Sequence, residues 1–358
     1  MQETSSPQSE AQSRAPTTDR EQVKEQILNF IIKYGMLVAI GILIVIFATS
    51  SDSFFTVTNF LQIARATSIL IIVAIGVTIS VSVDGFDVSV GAVTGLAVLL
   101  STSLMVIWNV EWYWAILLTL AAGALVGLIN SFLVIKLRIP DLLATLGMLY
   151  LAQGLQLMLT QGQSVNQGMA NPWTAERTLG MIPNVFKDIG QGFVLATEGF
   201  NGIPIPVVIM LVIAVLAHLF LQFTRWGRMF YAVGGNREAA RLSGVPVNRV
   251  RLAAYVISAL MATIAGIVLA GRVGSGPIRS GDPYLLDSVA ATFFGFAVLG
   301  ARQPNIFGTV LGALFVGILL NGLTKLNVQW FYQDFIKGFV LIASLAMSFY
   351  LVKTGTRR

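Results

Sequence analysis

The feature that most constrains the fold is a long apolar run, residues 65–107, which contains only three charged side chains. They are Arg65, Asp84 and Asp87. As a single helix the run would be about 65 Å long, roughly twice the thickness of the hydrocarbon core of a bilayer. The run must therefore fold back on itself, and residues 83–87 are the natural place for the break.

The rest of the chain also has the composition of a membrane protein. Of its 358 residues, 55% are hydrophobic and 11% are charged, whereas about 25% are charged in soluble domains. No soluble core can bury this much apolar surface, so we expect lipid to surround it. The chain has no cysteine and one histidine, which excludes a disulfide framework, a thiol nucleophile and a cysteine or histidine metal cluster.

Apolar runs of membrane-spanning length recur along the chain. They predict an all-α polytopic membrane protein with about ten transmembrane helices. The runs lie near residues 34–50, 66–83, 88–107, 113–135, 141–160, 204–223, 252–271, 285–301, 305–324 and 331–352. The two pairs within 66–107 and 285–324 are either full spans or broken, re-entrant elements.

The Lys and Arg residues predict the orientation, because they concentrate in cytoplasmic loops. With a cytoplasmic N-terminus and alternating spans, 16 of the 23 Lys and Arg residues fall on the cytoplasmic side. The longest loop, 161–202, then lies on the outer side, as do the hydrophilic residues 272–287. Residues 272–287 either contact a substrate-binding protein or are solvated. Both termini are predicted to be cytoplasmic, and the net charge of +6 indicates loops beside the membrane rather than nucleic-acid binding.

Two segments precede the first span. Residues 1–19 are polar and are predicted to be a disordered cytoplasmic tail. In residues 20–33, apolar side chains recur at helical spacing, which predicts an amphipathic helix at the membrane interface. The alternative is that this helix simply extends the first span. The transmembrane domain is then 34–352, followed by a short tail, 353–358.

A short charged helix is predicted within the cytoplasmic loop 224–251. Asn236 is a good N-cap, and the charge of Glu238 suits the first turn of a helix. Gly244 suits the position after the helix, and Pro246 blocks its continuation. Because two turns are marginally stable alone in water, the helix must be held by neighbouring spans or by a partner. The residues alone fit a docking helix and a simple connector equally well.

Polar and small residues at the break and inside the spans are candidates for a transport pathway. Asp87 either lines a pathway or, as we favour, caps the next span, while Asp84 fits both interpretations. The full set is Asp84, Asp87, Ser89, Gly91, Asn130, Gln153 and Asn321. Residues 91–95 and 308–312 share the pattern Gly-x-Val-x-Gly, which predicts close helix packing and a faint internal repeat.

Four blocks of the sequence, in order, carry a resemblance to a known family. They are VDGFDVSVGAVTGL (83–96), IPDLLATLGMLYLAQGL (139–155), EAARLSG (238–244) and GTVLGALFVGILLNGL (308–323). The third resembles the "EAA" loop of permeases from ATP-binding-cassette importers, and the others are similar to permeases for ribose and related sugars. Arg302, Gln303 and Pro304 depart from this pattern, where the family often has glycines, and Gln153 stands where the family has arginine.

The resemblance implies a type II importer-like fold and a permease subunit in the bacterial inner membrane, with 34–352 as the permease domain. It implies a coupling helix, 237–243, that docks on a separate ATPase. The residues carried over to that role are Asn236, Arg237, Glu238, Ala239, Ala240, Arg241 and Gly244. It also implies a second permease chain, identical or paralogous, and a binding protein that delivers a monosaccharide or similar polyhydroxy solute.

The chain itself is not expected to hold a cofactor. It contains no Gly-Lys pair and therefore no phosphate-binding loop of the usual kind. ATP and magnesium would be bound by the partner ATPase, and this chain would perform no bond chemistry. The alternative function is an ion-coupled secondary transporter for a small polar solute, for which Asp84 and Asp87 are the strongest relay candidates.

Overall fold

The computed structural model of the protein describes residues 19–197, 202–297, 303–329, 331–340 and 342, which are mostly helical. The helices are α1 (Asp19–Ser50), α2 (Val57–Val81), α3 (Val90–Val106), α4 (Trp112–Ser131), α5 (Asp141–Thr160), α6 (Asn184–Gln191), α7 (Ile205–Phe223), α8 (Arg225–Gly235), α9 (Arg237–Leu242), α10 (Val247–Val273), α11 (Asp282–Ala297) and α12 (Ile306–Lys325). Residues 331–340 are also helical. A π-helical turn, Phe132–Lys136, follows α4, and β1 (Phe193–Val194) pairs antiparallel with β2 (Ile203–Pro204).

Six helices in the described part are long and apolar enough to cross a membrane: α2, α4 with its π-helical turn, α5, α7, α10 and α12. Two shorter apolar helical stretches are Tyr34–Ser50 and Val90–Val106. The chain is therefore a polytopic membrane protein. The count of ten spans stays a prediction, because 285–301 and 331–352 lie partly outside the described residues.

The predicted break in the long apolar run is confirmed. α2 ends at Val81 and α3 begins at Val90, and the backbone between them turns through Asp84, whose φ of 56° is left-handed. The two helices on either side of the break lie in the middle of the bundle. In α2, α10 and α12 between 61% and 67% of the apolar window is buried, against 28% in α5 and α7, so the latter two present most of their apolar surface outward.

The two Gly-x-Val-x-Gly motifs are packing sites, as predicted, and both pack against α11 or the residue that precedes it. A Cβ on Gly91 would lie 2.8 Å from the Cβ of Leu285. A Cβ on Gly312 would lie 2.3 Å from the carbonyl oxygen of Ala291. A Cβ on Gly308 would lie 2.3 Å from the carbonyl oxygen of Gly295. Only glycine lets the backbones approach this closely, so α11 is held between α3 and α12.

The predicted N-terminal segments are joined in one helix. Residues 20–33 continue without a break into the first predicted span as part of α1, which has 32 residues. Such a helix is about 48 Å long and extends beyond the ~30 Å hydrocarbon core. The position of residues 20–33, at the membrane interface or as an extension of the span, stays a prediction. The predicted tails lie outside the described residues, apart from Asp19, which begins α1.

Candidate coupling site at one end of the bundle

The charged helix predicted from the sequence is present and capped as expected. α9 covers Arg237–Leu242, and the side chain of Asn236 accepts a hydrogen bond from the backbone N–H of Ala239 at 2.9 Å. After the helix, Gly244 adopts a φ of +80°, and α10 begins at Val247 directly after Pro246. A second short helix, α8, precedes it, and its first turn is capped by Thr224. The connection from α7 to α10 is thus two short capped helices.

One face of α9 is turned toward the transmembrane helices. The guanidinium of Arg237 lies 3.0 Å from the carboxylate of Asp84 and also donates a hydrogen bond to the backbone carbonyl of Asp84. The same guanidinium lies 4.0 Å from the carboxylate of Asp141, the first residue of α5. Ala240, one turn further on, is buried, with 5% of its surface exposed. Arg237 therefore connects α9 to the α2–α3 break and to α5.

Asp141 extends this ion network to α10. Its two oxygens accept hydrogen bonds from the guanidinium of Arg251 at 2.8 and 2.9 Å and from the hydroxyl of Tyr255 at 2.7 Å. Arg251 is nearly buried, since its side chain is 10% exposed. A carboxylate in the first turn of α5 is also stabilised by the helix dipole. Asp141, Arg251 and Tyr255 were not among the residues singled out from the sequence; the position of Asp141 at a helix start was the available signal.

Backbone contacts support the same connection. A Cβ on Gly234, at the end of α8, would lie only 2.3 Å from the carbonyl oxygen of Ser82 and 3.4 Å from the backbone nitrogen of Asp84. One turn before Gly234, the hydroxyl of Tyr231 donates to the carbonyl of Pro304 at 2.9 Å, just before α12. Burial raises the pKa of Tyr231, so this hydroxyl stays protonated and keeps donating. α8 and α9 are thus in contact with the α2–α3 break, and α8 is also in contact with the residues that precede α12.

Beneath the ion network lies a buried polar cluster. Asp87 is fully buried, and one oxygen accepts hydrogen bonds from the backbone N–H and the hydroxyl of Ser89, at 3.0 and 2.6 Å. Its other oxygen accepts from Ser258 of α10 at 2.9 Å, and Asn130 of α4 donates to Ser89 at 3.0 Å. Ser89 is the residue immediately before α3, and the carboxylate of Asp87 accepts its N–H at the start of the helix, in keeping with the predicted capping role, and also joins the start of α3 to α10.

The opposite face of α9 points away from the bundle. Glu238 and Arg241 form an exposed ion pair at 2.9 Å, and Ala239 and Gly244 are exposed. Leu242 is 84% exposed and is the large apolar side chain of this face. The predicted coupling residues thus divide into an inner group, which contains Arg237 and Ala240, and an outer group. The sequence did not identify Leu242 as a coupling residue, because a leucine in a helix usually packs against the rest of the protein.

The remaining pathway candidates lie apart from this site. Gly91 packs against Leu285. Asn321 of α12 and Asn59 of α2 exchange two amide hydrogen bonds, at 3.0 and 3.2 Å, so Asn321 is engaged in holding two helices together. Gln153 is half-buried and donates to Asp282 at 3.1 Å, nearer the other end of the bundle.

Comparison with known proteins places these features in a family. The family described as the permease component of the branched-chain amino acid transport system matches residues 59–345. The chain belongs to this family. The permease is 35% identical over 309 residues to the ribose import permease protein RbsC of Escherichia coli (strain K12), a match that covers 86% of this chain and 91% of the relative.

Two further relatives have different names. The permease is 28% identical over 355 residues to the xylose transport system permease protein XylH of Haemophilus influenzae, covering 87% of this chain and 94% of the relative. It is 33% identical over 310 residues to the autoinducer 2 import system permease protein LsrC of Photorhabdus luminescens, covering 86% and 87%. No solved structure matched the chain significantly. The permease is the membrane subunit of an ATP-binding-cassette importer, a multi-pass inner-membrane protein and not an enzyme.

Proposed function

We propose that the permease forms the pathway for a monosaccharide or similar small polyhydroxy solute and that α9 couples this pathway to a separate ATPase. The observation that carries the proposal is the division of α9 into two faces. Its inner face is held by Arg237 to α2, α3 and α5, whereas its outer face exposes Leu242. A short helix that is anchored on one side and presents an exposed leucine and an ion pair on the other suits a groove in a partner protein.

The mechanism follows from this arrangement. When the ATPase subunits close on ATP and magnesium, α9 moves with the surface on which it docks. Because Arg237 and the end of α8 contact the α2–α3 break, this movement shifts α2 and α3 relative to α10 and opens the pathway to one side or the other. The ATPase holds the nucleotide and the metal, and this chain contributes α9, which moves with the ATPase, and the helices of the pathway.

The proposed assembly contains two permease chains, identical or paralogous, two ATPases and a binding protein on the outer side. We propose ten spans with both termini in the cytoplasm, supported by the 16 of 23 Lys and Arg residues that this topology places there. The solute class is supported by the relatives, which are named for ribose, xylose and autoinducer 2.

Reconstitution in liposomes tests the proposal. We expect uptake of radiolabelled ribose or xylose only when the ATPase, the binding protein and ATP are all present, and no change when ionophores collapse proton and sodium gradients. Uptake that continues without any ATPase and follows an ion gradient would instead establish the alternative, an ion-coupled secondary transporter. In that case the buried carboxylate Asp87 would be the first residue to examine as a relay.

The N-cap of α9 gives a separate prediction. Replacing Asn236 by Ala removes the acceptor of the Ala239 N–H bond and costs about 1 kcal/mol of local helix stability. We expect backbone amide exchange across α9 to become about fivefold faster, measured by mass spectrometry of the protein in nanodiscs. Asn248→Ala, an exposed asparagine at the start of α10, is the matched control. Unchanged exchange in Asn236→Ala would contradict a stabilising role for the cap.

A further inference from the structure

The connection between α10 and α11 runs back into the helix bundle. Gly274 ends α10 with a φ of +68°. A Cβ on Gly276 would lie 2.1 Å from the hydroxyl of Thr102, and one on Gly281 would lie 2.3 Å from the backbone nitrogen of Gly95. Thr102 and Gly95 are seven residues apart on α3, about 10 Å along a helix axis. The sequence prediction placed 272–287 on the outer side, but residues 276–281 descend beside α3.

α11 therefore begins inside the bundle. Residues 274–281, which precede it, are not helical: Gly274 and residues 278–281 lie in turns, and Gly276 forms a β-bridge with Val165. Non-helical segments inside the membrane occur at solute sites in transporters, so the surroundings of residues 274–281 indicate what this segment does.

Other parts of the protein form hydrogen bonds with the backbone of residues 274–281. Gly276 and Val165 exchange two backbone hydrogen bonds of 2.8 Å each. The N–H of Arg279 donates to the side-chain oxygen of Gln156 at 3.1 Å, and the amide of the fully buried Gln156 donates in turn to the carbonyl of Ala92 at 3.1 Å. Non-helical backbone at membrane depth persists only where protein covers it or where it lines a water-filled cavity. Here protein covers one side of the segment.

The other side carries polar groups. The side chain of Arg279 is exposed, and Asp282 is half-buried and accepts a hydrogen bond from Gln153 of α5 at 3.1 Å. One turn before Gln153, Tyr150 is 70% exposed at the midpoint of α5. Charged side chains are costly against lipid. The exposed side of α5 also carries Leu151 and Met158, so it is the charges of Arg279 and Asp282 that indicate contact with water beside Gln153.

We propose that Tyr150, Gln153, Arg279 and Asp282 form a contact site for a neutral polyhydroxy solute on the pathway. The proposal rests on the function proposed above and names the place where the solute is recognised. The amide and the tyrosine hydroxyl can both donate and accept hydrogen bonds, the carboxylate accepts them and the guanidinium donates them. A solute with several hydroxyl groups needs both hydrogen-bond donors and hydrogen-bond acceptors on the protein. A few such polar protein groups fix the orientation of a small ligand.

The reactivity of introduced cysteines tests whether Gln153 and Arg279 are in contact with water. Because the chain has no cysteine, single substitutions report only on their own position. We expect Gln153→Cys and Arg279→Cys to react with a membrane-impermeant thiosulfonate reagent at least about tenfold faster than Leu211→Cys, since only a hydrated thiol ionises and reacts. Leu211 is a 52% exposed residue of the apolar helix α7. Equal, slow reaction at all three positions would overturn the proposal.

Transport kinetics test the ligand. In the complete complex, we expect Asp282→Asn and Gln153→Ala to change the ratio of ribose to xylose uptake, or the KM for ribose, by about tenfold, the effect of losing one or two hydrogen bonds. ATPase binding should stay unchanged. The matched controls are Asp52→Asn and Gln329→Ala, both exposed positions away from this face. A variant that fails to assemble is replaced by Tyr150→Phe, which removes only a hydroxyl.

The outcomes separate this proposal from the function on which it rests. Wild-type KM values and sugar ratios in assembled Asp282→Asn and Gln153→Ala would overturn the contact site alone. Absence of ATP-driven sugar uptake by the wild-type complex would reject the proposed function, whatever the accessibility of these positions.

Discussion

Replacing Leu242 by Asp is expected to weaken binding of the ATPase to the permease by about tenfold or more. Leu242 is 84% exposed on the outer face of α9, and burial of a leucine side chain in a partner contributes about 1.5–3 kcal/mol. Because 1.4 kcal/mol corresponds to about tenfold in affinity, loss of this burial alone has a large effect, and a charge in an apolar groove adds to it. The affinity can be measured with purified ATPase and the permease in nanodiscs.

A matched control is available at the other end of the molecule. Leu179 is 88% exposed in the long connection between α5 and α7, so Leu179→Asp introduces the same charge where no ATPase is expected to bind. We expect this variant to bind the ATPase as the wild-type protein does. An affinity of Leu242→Asp within a factor of about two of the wild type would show that α9 is a connector, because a buried leucine contributes more than this.

Replacing Arg237 by Ala is expected to separate ATP hydrolysis from uptake. The guanidinium joins α9 to Asp84 and Asp141, but it faces away from the docking surface. Coupling between two sites in a protein is typically about 1–3 kcal/mol, or about 5–150-fold, and we expect uptake per ATP hydrolysed to fall about tenfold while the affinity for the ATPase is kept. The measurement is solute uptake and phosphate release in the same liposomes.

The stability of the protein should change little in this variant. The Arg237 and Asp84 side chains are 37% and 68% exposed, and exposed ion pairs contribute about 0–1 kcal/mol. Arg249→Ala, an exposed arginine in the first turn of α10, is the matched control and should remain coupled. Exchange of the charges in Arg237→Asp with Asp84→Arg should restore part of the uptake. Full coupling in Arg237→Ala would show that the link to the α2–α3 break has no role in transport.

Local signals in the sequence predicted the elements around the coupling site. Asn236, Gly244 and Pro246 are start and stop signals that act within a few residues, so α9 could be placed closely. The fold-back between α2 and α3 followed from the length of one apolar run against the thickness of a bilayer. The packing of both Gly-x-Val-x-Gly motifs followed from the need for close approach between helices in lipid.

Contacts between distant parts of the chain could not be predicted in this way. Arg237 and Asp84 are 153 positions apart, and neither residue indicates its partner. The burial of Ala240 and the exposure of Leu242 depend on how α9 is rotated against the bundle, which a helix of six residues does not reveal. The descent of 274–281 into the bundle was missed because a hydrophilic stretch between apolar runs looks the same as an outer loop.

The most direct test of the account is a crosslink from position 242. Since the chain has no cysteine, Leu242→Cys can be labelled with a photoactivatable maleimide in the assembled complex while ATP-driven uptake is monitored. If α9 docks on the ATPase, a covalent adduct with the ATPase forms at position 242 and none forms at Leu179→Cys. Absence of an ATPase adduct at position 242, in a complex that still performs ATP-driven uptake, would contradict this docking.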